Sequence, residues 1–237
     1  MHAIGLSPLE AAGLIWFFGF WIAYTYFSRY RAKTKPRLQN LLHAHIREWI
    51  KVLHNRDLRI VDTSIVANME RNSTFFASSS LLIIAGLLTA IGSSDAALSF
   101  LNHLTFGADI NPTRWDVCMV LLTLIYTYTF FTFTWTTRQW GFASILIGSA
   151  PLHDDAKATL EERQRNRQSL ARLIWLAIYN FNLGLRGYYF SLALLIWLAL
   201  PEALFVTTVW VVAVLYRREF HSRSLAALQL GLETHAR

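Results

Sequence analysis

The chain has 237 residues, 54% of them hydrophobic and only 16% charged, against roughly 25% charged in ordinary soluble domains. Its net charge of +7 would raise nucleic acid as a partner of a soluble protein. Here the basic residues stand in blocks beside apolar runs, so membrane orientation explains them first and nucleic acid is not an expected partner. Cys118 is the only cysteine, which excludes an internal disulfide and a cysteine-based metal site.

Nine Trp, nine Tyr and sixteen Phe suit the two interfaces of a bilayer. Strand periodicity is absent, which argues against a β-barrel. The N-terminus lacks a basic leader region and its apolar run has a span's length, so it reads as a helix that stays rather than a signal peptide.

A spanning helix needs roughly 17–25 apolar residues. Ala11 to Ser28, Asn72 to Ser94 and Val117 to Thr137 are three uncharged runs. Gln139 to Leu152 follows the third after only Arg138, which leaves no room for a hairpin. The third helix is therefore expected to continue past the bilayer and stop before Pro151. Leu173 to Pro201 is apolar apart from Arg186, and Ala203 to Tyr216 is a shorter run. Pro201 and Glu202 between them predict a tight turn, because proline breaks a helix interior and a carboxylate is costly at mid-membrane. The expected architecture is an all-α bundle and a single membrane domain, with spans at 8–28, 73–93, 116–137, 182–200 and 203–217.

Charge supports five spans over four. Arg29 to Arg71 holds ten Lys/Arg and four acids, whereas Ser93 to Arg114 holds one Arg and two acids. Arg138 to Arg186 holds seven Lys/Arg and four acids, and the tail after Tyr216 four and two. Rich blocks alternate with a poor one, as expected for a bacterial inner-membrane protein with its N-terminus outside and its C-terminus in the cytoplasm.

Two segments, 36–70 and 153–180, are expected to form a cytoplasmic helical layer. Leu38 to Leu53 places apolar residues at 38, 41, 42, 46, 49, 50 and 53, one face of a helix. Its other face carries Arg47, Glu48, Lys51 and histidines. It either lies on the inner leaflet, with Trp49 at headgroup depth, or packs on the protein's own helices. His153 to Gln168 is charge-mixed and reads as a solvated helix leading into the fourth span.

Arg186 lies ~21 Å along the helix from Leu200, within a core ~30 Å thick. Asn182 and Tyr189 share its face. The three form a donor-rich strip suited to a lipid phosphate, an anion or a partner carboxylate; the plainer readings are snorkelling to headgroups or a structural ion pair. Arg56, Asp57, Arg59, Asp62, Glu70 and Arg71 cluster before the second span, and Arg217, Arg218 and Glu219 after the fifth. They suggest an ion-pair layer or an inner-face ligand site. Thr123, Tyr126, Thr127, Tyr128, Thr129, Thr132, Thr134, Thr136 and Thr137 crowd the third span, either lining a wet path or bonding within and between helices. Ser79, Gly86 and Ala90 make a small-residue stripe on the second, which reads as a packing seam, within the chain or between protomers. The His43/His45 pair and His153-Asp154-Asp155 lack a metal-ligand spacing. No P-loop, dinucleotide fingerprint or serine elbow occurs, so neither cofactor nor metal is expected.

Three stretches carry a family resemblance: Arg59-Ile-Val-Asp62 running into Phe75-Phe76-Ala-Ser78; Asn182-Leu-Gly-Leu-Arg186-Gly-Tyr-Tyr-Phe-Ser191; and Leu215-Tyr-Arg-Arg-Glu-Phe220. Together they resemble the bacterial and plant membrane family catalogued as domain of unknown function 599, over most of the chain. The resemblance implies no activity. Three readings of function stay open. The first is an oligomeric channel or transport-type protein. The second is a membrane enzyme or lipid-binding protein with an inner-face site. The third is a scaffold subunit of a membrane complex. Membrane lipids and a second copy of the chain are the expected partners.

Overall fold

The computed structural model describes residues 5–31, 38–94, 99, 111–152 and 154–235. Its helices are α1 (Pro8–Arg31), α2 (Leu38–His54), α3 (Ile60–Gly92), α4 (Pro112–Gly148), α5 (Leu160–Ala199), α6 (Ala203–Phe220) and α7 (Arg223–His235), and no strand occurs among the described residues. His153 of the expected loop cluster lies outside them.

The helix starts follow local rules. Ser7 and Glu10 form a reciprocal capping box at α1, with Glu10 N–H donating to Ser7 Oγ at 3.2 Å and Ser7 N–H to Glu10 Oε2 at 2.7 Å. Thr159 and Glu162 repeat it at α5, at 3.2 and 2.9 Å. Asn111 Oδ1 accepts from Thr113 N–H at 2.9 Å, and Pro112 after it is preset for a first helical position. Helix α4 runs unbroken to Gly148 and α5 runs unbroken into its apolar half, as their sequences predict. Pro201 and Glu202 sit in the turn between α5 and α6.

Four described helices, α1, α3, α4 and α5, are long and apolar enough to cross a membrane. In the most apolar stretch of α3 only 11% of residues are buried, and its outward side chains include Leu81, Leu82 and Leu88. Apolar surface on this scale is a liability in water and the natural surface of a helix in lipid. The protein is membrane-embedded. Helix α6 is shorter: Arg217, Arg218 and Glu219 close its 18 residues, and its uncharged part, Ala203 to Tyr216, spans only ~21 Å at 1.5 Å per residue.

The chain divides into two units. One comprises Met1–Thr34, Ser78–Phe130 and Leu185–Arg218; the other comprises Lys35–Ala77, Phe131–Gly184 and Glu219–Arg237. The first has a core of Phe17, Met119, Leu122, Phe190, Leu194 and Trp197, with Trp21 stacked on Phe190 at 4.8 Å. A hydroxyl belt crosses it. Tyr126 bonds Ser191 at 2.8 Å, while Ser80 bonds Tyr188 at 2.9 Å and Thr129 at 3.3 Å.

The second unit packs Ile46, Ile50 and Leu53 of α2 against Val66, Trp140, Ile147, Leu170 and Ile174. The apolar face of α2 is thus covered by protein rather than lipid. Helix α7 lies on α2, where His45 Nε2 meets Leu228 O at 2.9 Å.

Close packing uses glycines other than those of the expected seam. A Cβ on Gly86 would meet open space, so among the described residues nothing packs closely on Gly86, while Ala90 of the same stripe packs against the first core. A Cβ on Gly184 would lie 2.5 Å from the Phe133 ring, and one on Gly187 would collide with Thr129 Cγ2. Small residues of α5 thereby admit side chains of α4. Overpacking of this kind costs ~1–3 kcal/mol. Gly187→Ala should therefore lower the unfolding midpoint in detergent while Gly86→Ala leaves it unchanged; equal midpoints for the two variants would refute this packing.

Candidate functional site

The residues singled out by sequence take diverse partners. Arg186 is 4% exposed. Its Nη2 donates to Ser28 Oγ at 3.2 Å and its guanidinium lies 5.2 Å from the centre of the Tyr24 ring. Helix α1 thus holds it inside the first unit, which removes snorkelling as its explanation. Arg218 donates to Tyr189 Oη and covers that ring at 5.4 Å. Asn182 Nδ2 returns to Ile178 O of its own helix at 2.8 Å. Asn182, Arg186 and Tyr189 share a helix face, but each is engaged separately.

The cluster before α3 is a structural joint. Asp62 is fully buried, and its Oδ1 accepts from Trp49 Nε1 at 2.7 Å and from Arg56 Nη1 at 3.0 Å. Trp49, expected at headgroup depth, instead ties α2 to α3. The carboxylate also sits in the first turn of α3, where the helix dipole favours an anion. Arg59 reaches three carbonyls at the end of α4: Ile147 at 3.0 Å, Ala150 at 2.6 Å and Pro151 at 2.8 Å. These are groups that a helix end leaves unpaired, and a cation there complements the dipole. Arg217 is exposed and Glu219 half-buried.

Sequence reasoning did not assemble one broad concavity. Within the second unit, α2 and the first half of α5 enclose a groove of about 890 Å³. Arg47 and Lys51 of α2 and Arg163, Arg167 and Arg172 of α5 line it, and no Asp or Glu does. Lys51 pairs with Glu48 at its edge, 2.6 Å away. Arg163 donates to Leu152 O at 2.6 Å and Asp155 O at 2.7 Å, holding the loop before α5. Arg47, Arg167 and Arg172 belong to none of the ion pairs formed among the described residues. Ile50, Ala171 and Trp175 supply an apolar wall. The missed signal was helical spacing: His43, Arg47 and Lys51 recur every four residues, as do Arg163, Arg167, Ala171 and Trp175.

With this geometry in place, comparison with known proteins is informative at the family level. The family model described as protein of unknown function, DUF599, matches residues 12–224. The chain belongs to this family. The match covers all four long apolar helices almost entirely, together with both walls of the groove. No curated protein and no solved structure matches the chain. Among the described residues no group of three or more His, Cys, Asp or Glu could hold a metal ion.

His54 of α2 is fully buried. Its Nδ1 faces Ile50 O at 2.9 Å and its Nε2 faces Asn166 Oδ1 at 3.1 Å. Burial, with Arg167 and Arg59 nearby, holds its pKa below the ordinary 6.5 despite those two acceptors. Burial and Arg47 lower His43 in the same direction. With a depressed folded value, the unfolded chain binds more protons just below pH 6.5, so stability rises with pH there. It is complete above pH 6.5 and is lost as pH falls through the folded pKa. Between pH 7 and pH 5 the unfolding midpoint should fall further for wild type than for His54→Gln, and parallel curves for the two proteins would contradict this assignment.

Proposed function

We propose that this membrane protein binds phosphate-bearing anions in the α2–α5 groove, on the cytoplasmic side of a bacterial inner membrane. One observation carries the reading: five Lys or Arg side chains from two helices line one concavity, with no carboxylate among its lining residues. Three of the five, Arg47, Arg167 and Arg172, belong to no ion pair among the described residues; like charges gathered in this way raise the energy of the folded state, and an anion docked among them lowers it. Guanidinium groups suit the task because their planar forks bond two phosphate oxygens at once.

The other readings have less support. Thr123, Thr136 and Thr137 donate to carbonyls of their own helix at 2.8, 2.8 and 3.1 Å, and Thr129 is fully buried. Hydroxyls used in this way act as internal glue, which weakens the case for a transport pathway through the third span. A scaffold role has no dedicated surface to argue from.

The cytoplasmic placement rests on the basic blocks. Arg217 and Arg218 end α6, so counting α6 as a fifth span puts them, the groove and the segment Arg29 to Arg71 on one side, as the positive-inside rule requires. A reporter enzyme that is active only outside the inner membrane should stay inactive when fused after Arg237, and become active when fused at the turn after Leu200. The reverse pattern would overturn the topology.

Ligand binding to the native state alone stabilises it by mass action, ~2.7 kcal/mol at a hundred times Kd. Inorganic pyrophosphate should raise the unfolding midpoint of the detergent-solubilised protein. Arg47→Gln/Arg167→Gln should remove the rise, and sodium chloride at matched ionic strength should not reproduce it. A rise of equal size in the double variant would reject the groove as the site.

A further inference from the structure

The groove has more wall than a free phosphate can use. Resting on the anion-binding reading above, we infer that its occupant is a net-anionic glycerophospholipid drawn from the surrounding bilayer. A volume of about 890 Å³ lies in the range that holds drug-sized molecules, roughly 300–1,000 Å³. An inorganic phosphate would occupy a small part of it.

The lining carries two chemistries. Arg47, Arg167 and Arg172 present cations, while Ile50, Ala171 and Trp175 present apolar surface. A soluble polyphosphate has no use for the second set; an amphiphile needs both. The two sets are also ordered along α5. From Arg172 to Trp175 is ~4.5 Å of helix rise, and beyond Trp175 the helix runs unbroken through its apolar half to Ala199. Trp175 stacks on Tyr179 at 5.5 Å and meets the His43 ring at 5.9 Å. A Trp–Tyr pair where a helix turns apolar marks headgroup depth. A lipid with its glycerol beside Trp175 would bring its phosphate to Arg172 and Arg167, with Arg47 facing it from α2.

The absence of Asp and Glu from the lining sets the headgroup class. The ammonium of a zwitterionic lipid would meet the like charges of Arg47, Arg167 and Arg172, with no carboxylate among the lining residues, which costs rather than gains energy. Phosphatidylglycerol, phosphatidic acid or cardiolipin has no such group. Basic pockets on the cytoplasmic side of membrane proteins are suited to such anionic headgroups.

The test uses the full chain in detergent with fluorescent phosphatidylglycerol, fluorescent phosphatidylcholine and, as the soluble probe, inorganic pyrophosphate. Phosphatidylglycerol should bind roughly tenfold tighter than phosphatidylcholine and displace pyrophosphate. Arg47→Gln/Arg167→Gln/Arg172→Gln should weaken it about tenfold or more, while the matching triple Arg→Lys variant, which keeps the charge but loses the planar forks, falls between that variant and wild type. Trp175→Ala should weaken phosphatidylglycerol about threefold and leave pyrophosphate unchanged. If pyrophosphate binds but phosphatidylglycerol does no better than phosphatidylcholine, or Trp175→Ala affects both probes equally, the lipid inference falls and the anion-binding reading survives. If neither probe binds, both fall. Should the triple Gln variant fail to fold, the Trp175→Ala split between the two probes decides alone.

Discussion

Within each unit, a glycine of α5 lets a side chain of α4 come into close contact, and helix pairing depends on that approach. Gly184 and Gly187 leave no side chain on one face of α5, and Phe133 and Thr129 of α4 fill the space. In lipid, apolar association gives helices little reason to pair, so close approach and shared hydrogen bonds must hold them. The same α5 carries Arg186 beside Gly187 and, further back, Arg163, Arg167, Arg172 and Trp175. Phe133, stacked on Phe76 at 5.2 Å and edge-on to Phe181 at 5.5 Å, helps fix the approach of α4 to α5 within the second unit.

Much of the architecture was legible because a bilayer leaves few options. Unpaired backbone is intolerable in hydrocarbon, so long apolar runs must be helices. Pro112, Pro151 and the pair Pro201-Glu202 then mark where helices begin or stop. The capping boxes at Ser7/Glu10 and Thr159/Glu162 can equally be read from four-residue windows. What could not be read is which polar group meets which. Trp49 looks like an interfacial anchor by type, and only the packing of α2 on the second core turns its Nε1 to Asp62. The glycines of α5 looked ordinary beside the Ser79–Gly86–Ala90 stripe, because a small residue reveals a seam only once its neighbour is known.

Buried charge shows how the fold settles its own conflicts. Glu10 and Arg114 pair at 3.4 Å with both side chains 7% exposed, and Glu10 also serves the α1 capping box. Losing Arg114 or Glu10 would remove this pairing from a buried charge, which is the costly case. Arg186 is treated differently. A hydroxyl and an aromatic face receive it, so its charge is spread over dipoles and a ring quadrupole. Both contacts lie inside the first unit and help to hold a buried guanidinium there.

The basic residues therefore do not all do the same work. Positive-inside reasoning counts Arg59, Arg163, Arg167 and Arg172 alike. The structure separates them: Arg59 and Arg163 are committed to backbone carbonyls that the helix connections leave exposed, and Arg218 to Tyr189. Arg47, Arg167 and Arg172 have no such commitment and face a shared groove. A guanidinium engaged with several carbonyls would have to give up those bonds to receive a ligand, at a cost comparable to what the ligand returns. Arginines without such bonds lose only water. The capacity of this surface to bind an anion thus depends on which cations the fold has left uncommitted, not on how many the sequence contains.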